Sequence, residues 1–320
     1  MYIDNRGVQL VEVEEGVPDA TANEITDNEG NKYKLEYLGN KGRFSGKGGN
    51  SSVYKLINKD GSSDKVIKFF SMHKPYPGAT KSYRKKYGRF IKEIEVLNTL
   101  KNEGVQNIVN IIDDGLADID GLEYPYYIME KADKDLTDYI LTNHETIDIQ
   151  SKLGLFYEIV KSLQNLHKYK YYHRDIKPDN IFMFREGDGD EAKFVWKVGD
   201  LGLVAERWKD VDYKGEKIGP FGWLSPEAMN KFLTEEAGFG FDCMIDFKSD
   251  VFQLGKLFWF IIQGNVPIGQ LLVDDLIQGE PVKNEVYTLI FEMLRYNKPQ
   301  RIELDSVLAG LESMKTIVPF

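Results

Sequence analysis

The sequence predicts an α+β fold in two packed parts, and three observations carry that expectation. Residues Tyr33 to Phe70 show strand-like alternation and β-branched pairs. After Ala132 the apolar residues recur at three- and four-residue steps, the spacing of helices. A strand-rich third thus precedes a helix-rich remainder, with a short connector at Glu130 to Asp133. At 320 residues the chain has room for about two folding units and for a core that needs no covalent staples.

Taken in order, residues 1 to 31 are acidic and turn-rich, with Gly16, Pro18, Asn28 and Gly30, and are expected to form an irregular extension with one short strand. Tyr33, Leu35 and Tyr37 alternate, and Val53-Tyr54 and Val66-Ile67 follow between turn residues, which predicts a small sheet built from hairpins. Phe90, Ile94, Leu97 and Leu100 form one buried stripe on a helix between Tyr83 and Lys101. A further strand pair is expected at Ile108 to Ile112 and Tyr126 to Met129. Helices are predicted through Leu153, Phe156, Val160, Leu163 and His167, then Val251 to Ile262, Val286 to Leu294 and Leu304 to Leu311. The acidic turn Glu186 to Glu191 separates the apolar runs Ile181 to Phe184 and Phe194 to Val198, which reads as a hairpin with a solvated tip.

Composition excludes several classes of protein. Hydrophobic residues are 42% and charged residues 29%, values of a globular chain rather than a disordered or collagenous one. Cys243 is the single cysteine, so no internal disulfide or multi-cysteine zinc site is possible and metal binding is left to oxygen ligands; a cytoplasmic location is expected. The formal charge of −10 has the wrong sign for coating nucleic acid, so no nucleic-acid partner is expected. Asp4, Glu12, Glu14 and Glu15 lie where a signal peptide would be basic and then apolar. The apolar stretch Val251 to Ile262 is broken by Gln253 and Lys256 and is too short for a bilayer, so no membrane partner is expected. The oligomeric state stays open.

Three segments carry chemistry. The run Gly46-Lys47-Gly48-Gly49-Asn50-Ser51-Ser52-Val53 lies between two strands, where flexible backbone can lay N–H groups over phosphates; a plain Gly-rich hairpin turn has the same composition. It is not a Walker A loop, which needs Gly-Lys-Ser/Thr leading into a helix. Lys68 ends the apolar strand Val66-Ile67-Lys68, and Glu93 stands on the helical stripe where it can hold a buried ammonium; either alone reads as a surface charge. The strongest signal is Tyr172-His173-Arg174-Asp175-Ile176-Lys177-Pro178-Asp179-Asn180 followed by Lys197-Val198-Gly199-Asp200-Leu201-Gly202.

With those motifs the chain resembles the eukaryotic-type protein kinase family. The resemblance extends over about residues 33 to 314 and implies a bilobal fold: a β-rich N-lobe of 32–132 including the hinge, a mainly helical C-lobe of 133–320, and 1–31 as an N-terminal extension. It implies ATP and Mg²⁺ as cofactors and a protein substrate. Asp175 is then expected to accept a hydroxyl proton, Lys177 to stand beside the migrating phosphoryl group, and Asn180 and Asp200 to hold the metal. Lys68, held by Glu93, would orient the α and β phosphates. Gly46, Gly48 and Ser51 match the family's glycine loop, with Val53 after it. Met129 matches the gatekeeper, the backbone of Glu130 and Ala132 would face adenine, and Asp135 would contact ribose. Ser225-Pro226-Glu227, Lys248-Ser249-Asp250-Val251 and Arg301, which in the family pairs with the glutamate, are implied scaffold; His173 is implied support.

The chain departs from the family at several positions. Ser51 replaces the third loop glycine, and Leu201 stands where the family usually has Phe. The activation segment Leu203 to Ile218 has no Ser or Thr and one hydroxyl, Tyr213. Either Tyr213 is a regulatory site, or the segment's acids Glu206, Asp210, Asp212 and Glu216 make a phosphate unnecessary, or Tyr213 is an ordinary loop tyrosine. Lys177 to Asn180 resembles the serine/threonine branch, whereas Pro220 and Trp223 resemble tyrosine kinases and the usual threonine at 220 is missing. Serine/threonine transfer is favoured; tyrosine or dual-specificity transfer and a nucleotide-binding pseudokinase scaffold are the alternatives. The cluster Lys81, Arg84, Lys85, Lys86 and Arg89 is read as a solvated helix start and Cys243 as a buried small hydrophobe.

Overall fold

In the computed structural model, which describes residues 1–38, 50–187, 193–207 and 212–320, the chain divides into two units. One comprises Met1–Gly104 and Val109–Lys131, the other Val105–Ile108 and Ala132–Phe320. The main division falls at Lys131/Ala132, inside the expected connector.

The first unit contains β1 (Tyr2–Asp4), β2 (Gly7–Gln9), β3 (Glu12–Glu14), β4 (Val17–Pro18), β5 (Glu24–Thr26), β6 (Lys32–Tyr37), β7 (Ser51–Ile57), β8 (Lys65–Phe70), helix α1 (Lys81–Asn102), β9 (Ile111–Ile119) and β10 (Leu122–Glu130). A six-stranded antiparallel sheet runs in the order β5-β6-β7-β8-β10-β9. Period-two burial explains β6 and β7: β6 buries Tyr33 and Leu35, and β7 buries Ser52, Tyr54 and Leu56. The central β8 is buried along Val66–Phe70 because both its faces are covered. Ile67 and Phe69 join Tyr54, Tyr126 and Ile128 in one core, while Phe70 stacks on Phe90 of α1 with ring centroids 5.2 Å apart. Helix α1 starts at Thr80, whose hydroxyl accepts the Tyr83 N–H at 3.2 Å. It buries the expected stripe, together with Glu93 and Val96.

Two expectations change here. Residues 1 to 31 form five short strands rather than one; β5 extends the sheet at its edge, and Val8 and Leu10 lie fully inside the core. The Tyr54 hydroxyl donates to Val8 O at 2.6 Å, and fully buried Asn23 accepts the Val11 N–H and donates to the carbonyls of Val11 and Asp19. Strands of two or three residues leave no periodicity to read, and buried Asn23 looks like a loop residue. The second strand pair is also longer and displaced, because Asp120-Gly121 takes positive φ at both residues (55° and 79°) and closes a two-residue hairpin. That places Ile108 and Val109 outside β9.

The second unit contains β11 (Lys134–Asp135), α2 (Leu136–Asn143), α3 (Ile149–Lys168), β12 (Tyr171–Tyr172), β13 (Ile181–Glu186), β14 (Lys193–Val198), β15 (Ala205–Glu206), α4 (Pro226–Thr234), α5 (Phe247–Gln263), α6 (Lys283–Met293) and α7 (Leu304–Met314). Helix α5 is the buried axis. A capping box of Asp246 and Ser249 opens it and Gly264, at φ 78°, closes it. Phe258 of α5 stacks on Phe156 of α3 at 3.9 Å. A Cβ added at Gly255 would lie 2.8 Å from the Met293 Cβ, so that glycine permits close packing of α5 and α6. β13 and β14 form the expected hairpin, with Ile181 opposite Val198; residues 188–192 at its tip lie outside the described residues. Among the described residues no helix is long and apolar enough to cross a membrane.

Candidate active site

In the first unit the site residues form a row across the sheet. Val53 of β7 and Tyr127 of β10 lie directly opposite Lys68 of β8, so the three share one face. Lys68 Nζ donates to Glu93 Oε1 at 2.9 Å and to Oε2 at 3.2 Å, with Lys68 7% and Glu93 1% exposed. The Tyr127 hydroxyl donates to the same Oε1 at 2.9 Å, and its ring lies 5.6 Å from the ammonium. Tyr127 is a part of this pair that sequence reasoning missed. Its signal is a buried hydroxyl within the apolar run Tyr126 to Met129.

Replacing Lys68 by methionine is expected to cost about 3–5 kcal/mol, because Glu93 is left buried without its cation, with Tyr127 still donating to it and the thioether filling the space. That reaches at most the lower end of a typical domain stability of about 5–15 kcal/mol, so Lys68→Met is expected to fold with a lowered urea midpoint, and if Lys68 orients the nucleotide phosphates the folded variant should lose phosphate incorporation. Full activity in that variant would remove Lys68 from the proposed machinery.

Ser51 begins β7, whereas Gly46 and Gly48 lie outside the described residues. Met129 and Glu130, both half-buried, end β10, and Ala132 opens the second unit. Glu130 Oε1 accepts the Asn110 N–H at 2.7 Å. Asp135 caps α2, its Oδ1 accepting the Asp138 N–H at 2.8 Å.

The second unit builds its part around a buried loop. His173 is fully buried: its Nδ1 accepts the Asp175 N–H at 3.3 Å, which leaves the Nε2 hydrogen for Gly199 O at 3.1 Å. Arg174 adopts φ 67°, a strained conformation for a residue with a side chain. Helix α5 holds it there: Asp250 accepts the N–H groups of His173 (2.8 Å) and Arg174 (2.7 Å), and also His167 Nε2 (2.8 Å). Gln253, one turn along, accepts the Ile176 N–H and donates to Arg174 O. Asp250 at the start of α5 and Gln253, a polar break in its apolar run, are therefore the supports of the loop. Gly219, just after the activation segment, has φ 97° and would bring a Cβ 3.3 Å from Arg174 O, so a side chain there would be strained and crowded.

Asp175 has its two carboxylate oxygens in different surroundings. Oδ2 accepts from Lys177 Nζ at 2.8 Å and Asn180 Nδ2 at 3.0 Å. Oδ1 is buried and meets no donor among the described residues. Asn180 also donates Nδ2 to Asp175 O at 2.8 Å, so its amide hydrogens are spent inside the loop and its carbonyl oxygen is the end that suits a hard cation. The Gly199 N–H donates to Asn180 O at 2.9 Å, which draws exposed Asp200, at φ 55°, next to the loop. A side-chain amide oxygen and a carboxylate are ligands of the hard oxygen type that Mg²⁺ takes. Leu201 is fully buried, and Tyr213 is 48% exposed.

The scaffold pair is buried as well. Arg301 Nη1 and Nη2 donate to Glu227 at 2.8 and 3.2 Å, and the Ser249 hydroxyl donates to Glu227 Oε1 at 2.6 Å. Burial opposes ionisation of Glu227, but Arg301 and Ser249 outweigh it and hold the carboxyl below the usual range. In the basic cluster on α1, Lys81, Arg84 and Lys86 are exposed, as a solvated helix start requires, with Arg84 donating to Tyr76, Pro77 and Ala79 carbonyls, whereas Lys85 and Arg89 are half-buried. Cys243 is half-buried rather than buried, since its neighbours Phe239 and Phe241 point to solvent; burial still pushes its thiol up.

Residues 40–310 match the family model described as Protein kinase domain, and the chain belongs to that family. It is similar to the serine/threonine-protein kinase cds1 of Schizosaccharomyces pombe, 26% identical over 72% of this chain and 48% of that protein. It is also similar to a "Probable serine/threonine-protein kinase" of Clostridium perfringens, 26% identical over 74% of this chain and 30% of that protein. The mast/stem cell growth factor receptor Kit of Takifugu rubripes is 28% identical over 54% of this chain and 15% of the receptor. The chain spans half or less of the length of these curated relatives.

Proposed function

We propose that this chain transfers the γ-phosphoryl group of ATP to a hydroxyl of a protein substrate, with serine or threonine favoured over tyrosine. The observation that carries the reading is the divided Asp175 carboxylate: one oxygen is anchored by Lys177 and Asn180, and the other is buried with no donor among the described residues. A buried acceptor left open is costly unless a hydroxyl supplies the missing hydrogen bond. Asp175 would take that hydrogen bond, orient the oxygen for in-line attack and receive its proton as the bond to phosphorus forms. Lys177, already beside Asp175, would meet negative charge on the transferred group, and Lys68, fixed by Glu93, would meet the α and β phosphates. Asn180 and Asp200 would hold Mg²⁺, which when bound neutralises charge on the phosphate oxygens.

The serine/threonine relatives and Lys177 to Asn180 support the favoured acceptor. Pro220, Trp223 and the likeness to the receptor Kit support the tyrosine alternative. The threonine missing at 220 has a counterpart in function, because Asp250 and Gln253 hold the loop backbone from beneath. A pseudokinase scaffold has no use for an open acceptor beside two oxygen ligands. The lone, half-buried Cys243 suits a reducing cytoplasm.

The test incubates purified chain with ATP labelled at the γ-phosphorus, Mg²⁺ and generic protein acceptors, then identifies the phosphorylated amino acid. Phosphoserine or phosphothreonine is expected; phosphotyrosine alone would reverse the acceptor assignment. Asp200→Asn is expected to lower transfer by about 10²-fold or more and to raise the Mg²⁺ concentration needed for half-maximal rate. An unchanged Mg²⁺ titration would remove Asp200 from the metal site.

A further inference from the structure

We propose that Asp212 is a built-in positioning residue: its carboxylate fills the guanidinium fork of Arg174 and holds the activation segment in its transfer-competent arrangement without phosphorylation. The inference rests on the kinase reading above and concerns how that site is kept on.

Arg174 precedes Asp175, and its backbone is fixed by Asp250 on one side and Gln253 on the other. Its side chain therefore leaves the loop in one direction. There Nε donates to Leu203 O at 2.6 Å, Nη1 donates to Asp212 Oδ2, and Nη2 lies 3.4 Å from Asp212 Oδ1. The two side chains are 2% and 4% exposed. A guanidinium this deeply buried must be matched by a rigid two-oxygen acceptor, and a carboxylate meets it prong for prong. One residue of the segment thus neutralises the cation that abuts the proposed base.

The described residues on either side of that contact are held by hydrogen bonds of their own. β15 pairs with β12, Tyr171 opposite Glu206 and Tyr172 opposite Ala205, and the Arg207 N–H donates to Lys170 O at 2.7 Å. Beyond Asp212, the Tyr213 N–H donates to Glu216 Oε2 and the Gly215 N–H to Glu235 Oε2. A phosphate added to such a segment acts by bringing negative charge and acceptor oxygens to an arginine. Here the acceptor oxygens are encoded in the sequence. The segment offers no Ser or Thr for modification, and Tyr213, half exposed, is next to the residue that fills the fork rather than in it. Of the readings the sequence leaves open, the structure favours the segment's own acids, and Asp212 among them; Asp210 lies outside the described residues.

The experiment compares the wild-type chain, stripped of phosphate by a phosphatase and verified by mass, with Asp212→Ala, Asp212→Glu and Tyr213→Phe. Dephosphorylated wild type and Tyr213→Phe are expected to transfer at the untreated rate. Asp212→Ala should lose about tenfold or more in kcat, the loss of roughly one charge-assisted hydrogen bond, with little change in KM for ATP. Asp212→Glu should recover much of that kcat, which a general loss of packing would not allow, and thermal denaturation confirms that each variant is folded. An Asp212→Ala kcat equal to wild type overturns the inference, as does recovery of no kcat by a folded Asp212→Glu. Wild type that is inactive when dephosphorylated but active after phosphorylation overturns it while leaving the kinase reading intact. Inactivity in both states removes the kinase reading and the inference with it.

Discussion

Replacing Asp175 by asparagine is expected to lower kcat by about 10²- to 10⁴-fold while leaving nucleotide affinity and the unfolding transition close to wild type. The direction follows from the hydrogen-bond polarity of the loop. Lys177 Nζ and Asn180 Nδ2 both donate to Asp175 Oδ2, so an asparagine at this position must turn its carbonyl oxygen toward them. Its NH₂ then occupies the place of Oδ1, the buried oxygen that meets no donor among the described residues. On the proposed reading a donor would then face the incoming hydroxyl where an acceptor is needed, and the carboxylate that would take the proton is gone. Size and shape hardly change, so the loss falls on turnover. Steady-state kcat and KM for ATP, with a denaturation curve on the same sample, separate the cases; a proportionate fall in stability would show that Asp175 is structural.

Arg301→Ala is expected to destabilise the chain by about 3–5 kcal/mol, the usual cost of stripping one partner from a buried ion pair. Arg301 is 1% exposed and donates to Glu227, to Lys248 O at 2.6 Å and to Arg295 O at 3.0 Å. Without it, Glu227 stays buried with the Ser249 hydroxyl. Because the Glu227 carboxyl is held below its unfolded value, near 4.3 for an ordinary glutamate, its contribution is fully present above that pH. It is lost as pH falls through the folded value. The stability gap between wild type and Arg301→Ala in urea should therefore be widest near neutrality and narrow in acid; a gap that is the same at both would place the loss in packing alone.

Much of the candidate site is legible because the proposed chemistry needs fixed residue types at short fixed spacings. Asp175, Lys177 and Asn180 lie within one loop, and the hairpin that leads to Asp200 follows directly. The pairing of Lys68 with Glu93 was readable from an apolar strand and a helical stripe. What stayed hidden depends on contacts that join distant positions. Asp250 reaches Arg174 across 76 residues, and its type and place in the sequence suggest only an acidic residue in the first turn of a scaffold helix. Tyr127 looked like one more strand aromatic until its hydroxyl was found on Glu93. The strands before Glu24 were missed for a different reason: each is too short to alternate, and they are stabilised by Asn23 and by burial of Val8 and Leu10. Asp212 was one acid among four in the segment, and only the fork of Arg174 distinguishes it.

The most direct test measures transfer and binding together on wild type and Asp175→Asn. With Mg²⁺, ATP labelled at the γ-phosphorus and a protein acceptor, wild type should place label on serine or threonine. Asp175→Asn should bind the nucleotide with similar affinity yet transfer at least about 10²-fold more slowly. Equal transfer by the two proteins, or ATP binding by wild type with no transfer to any acceptor, would contradict the account.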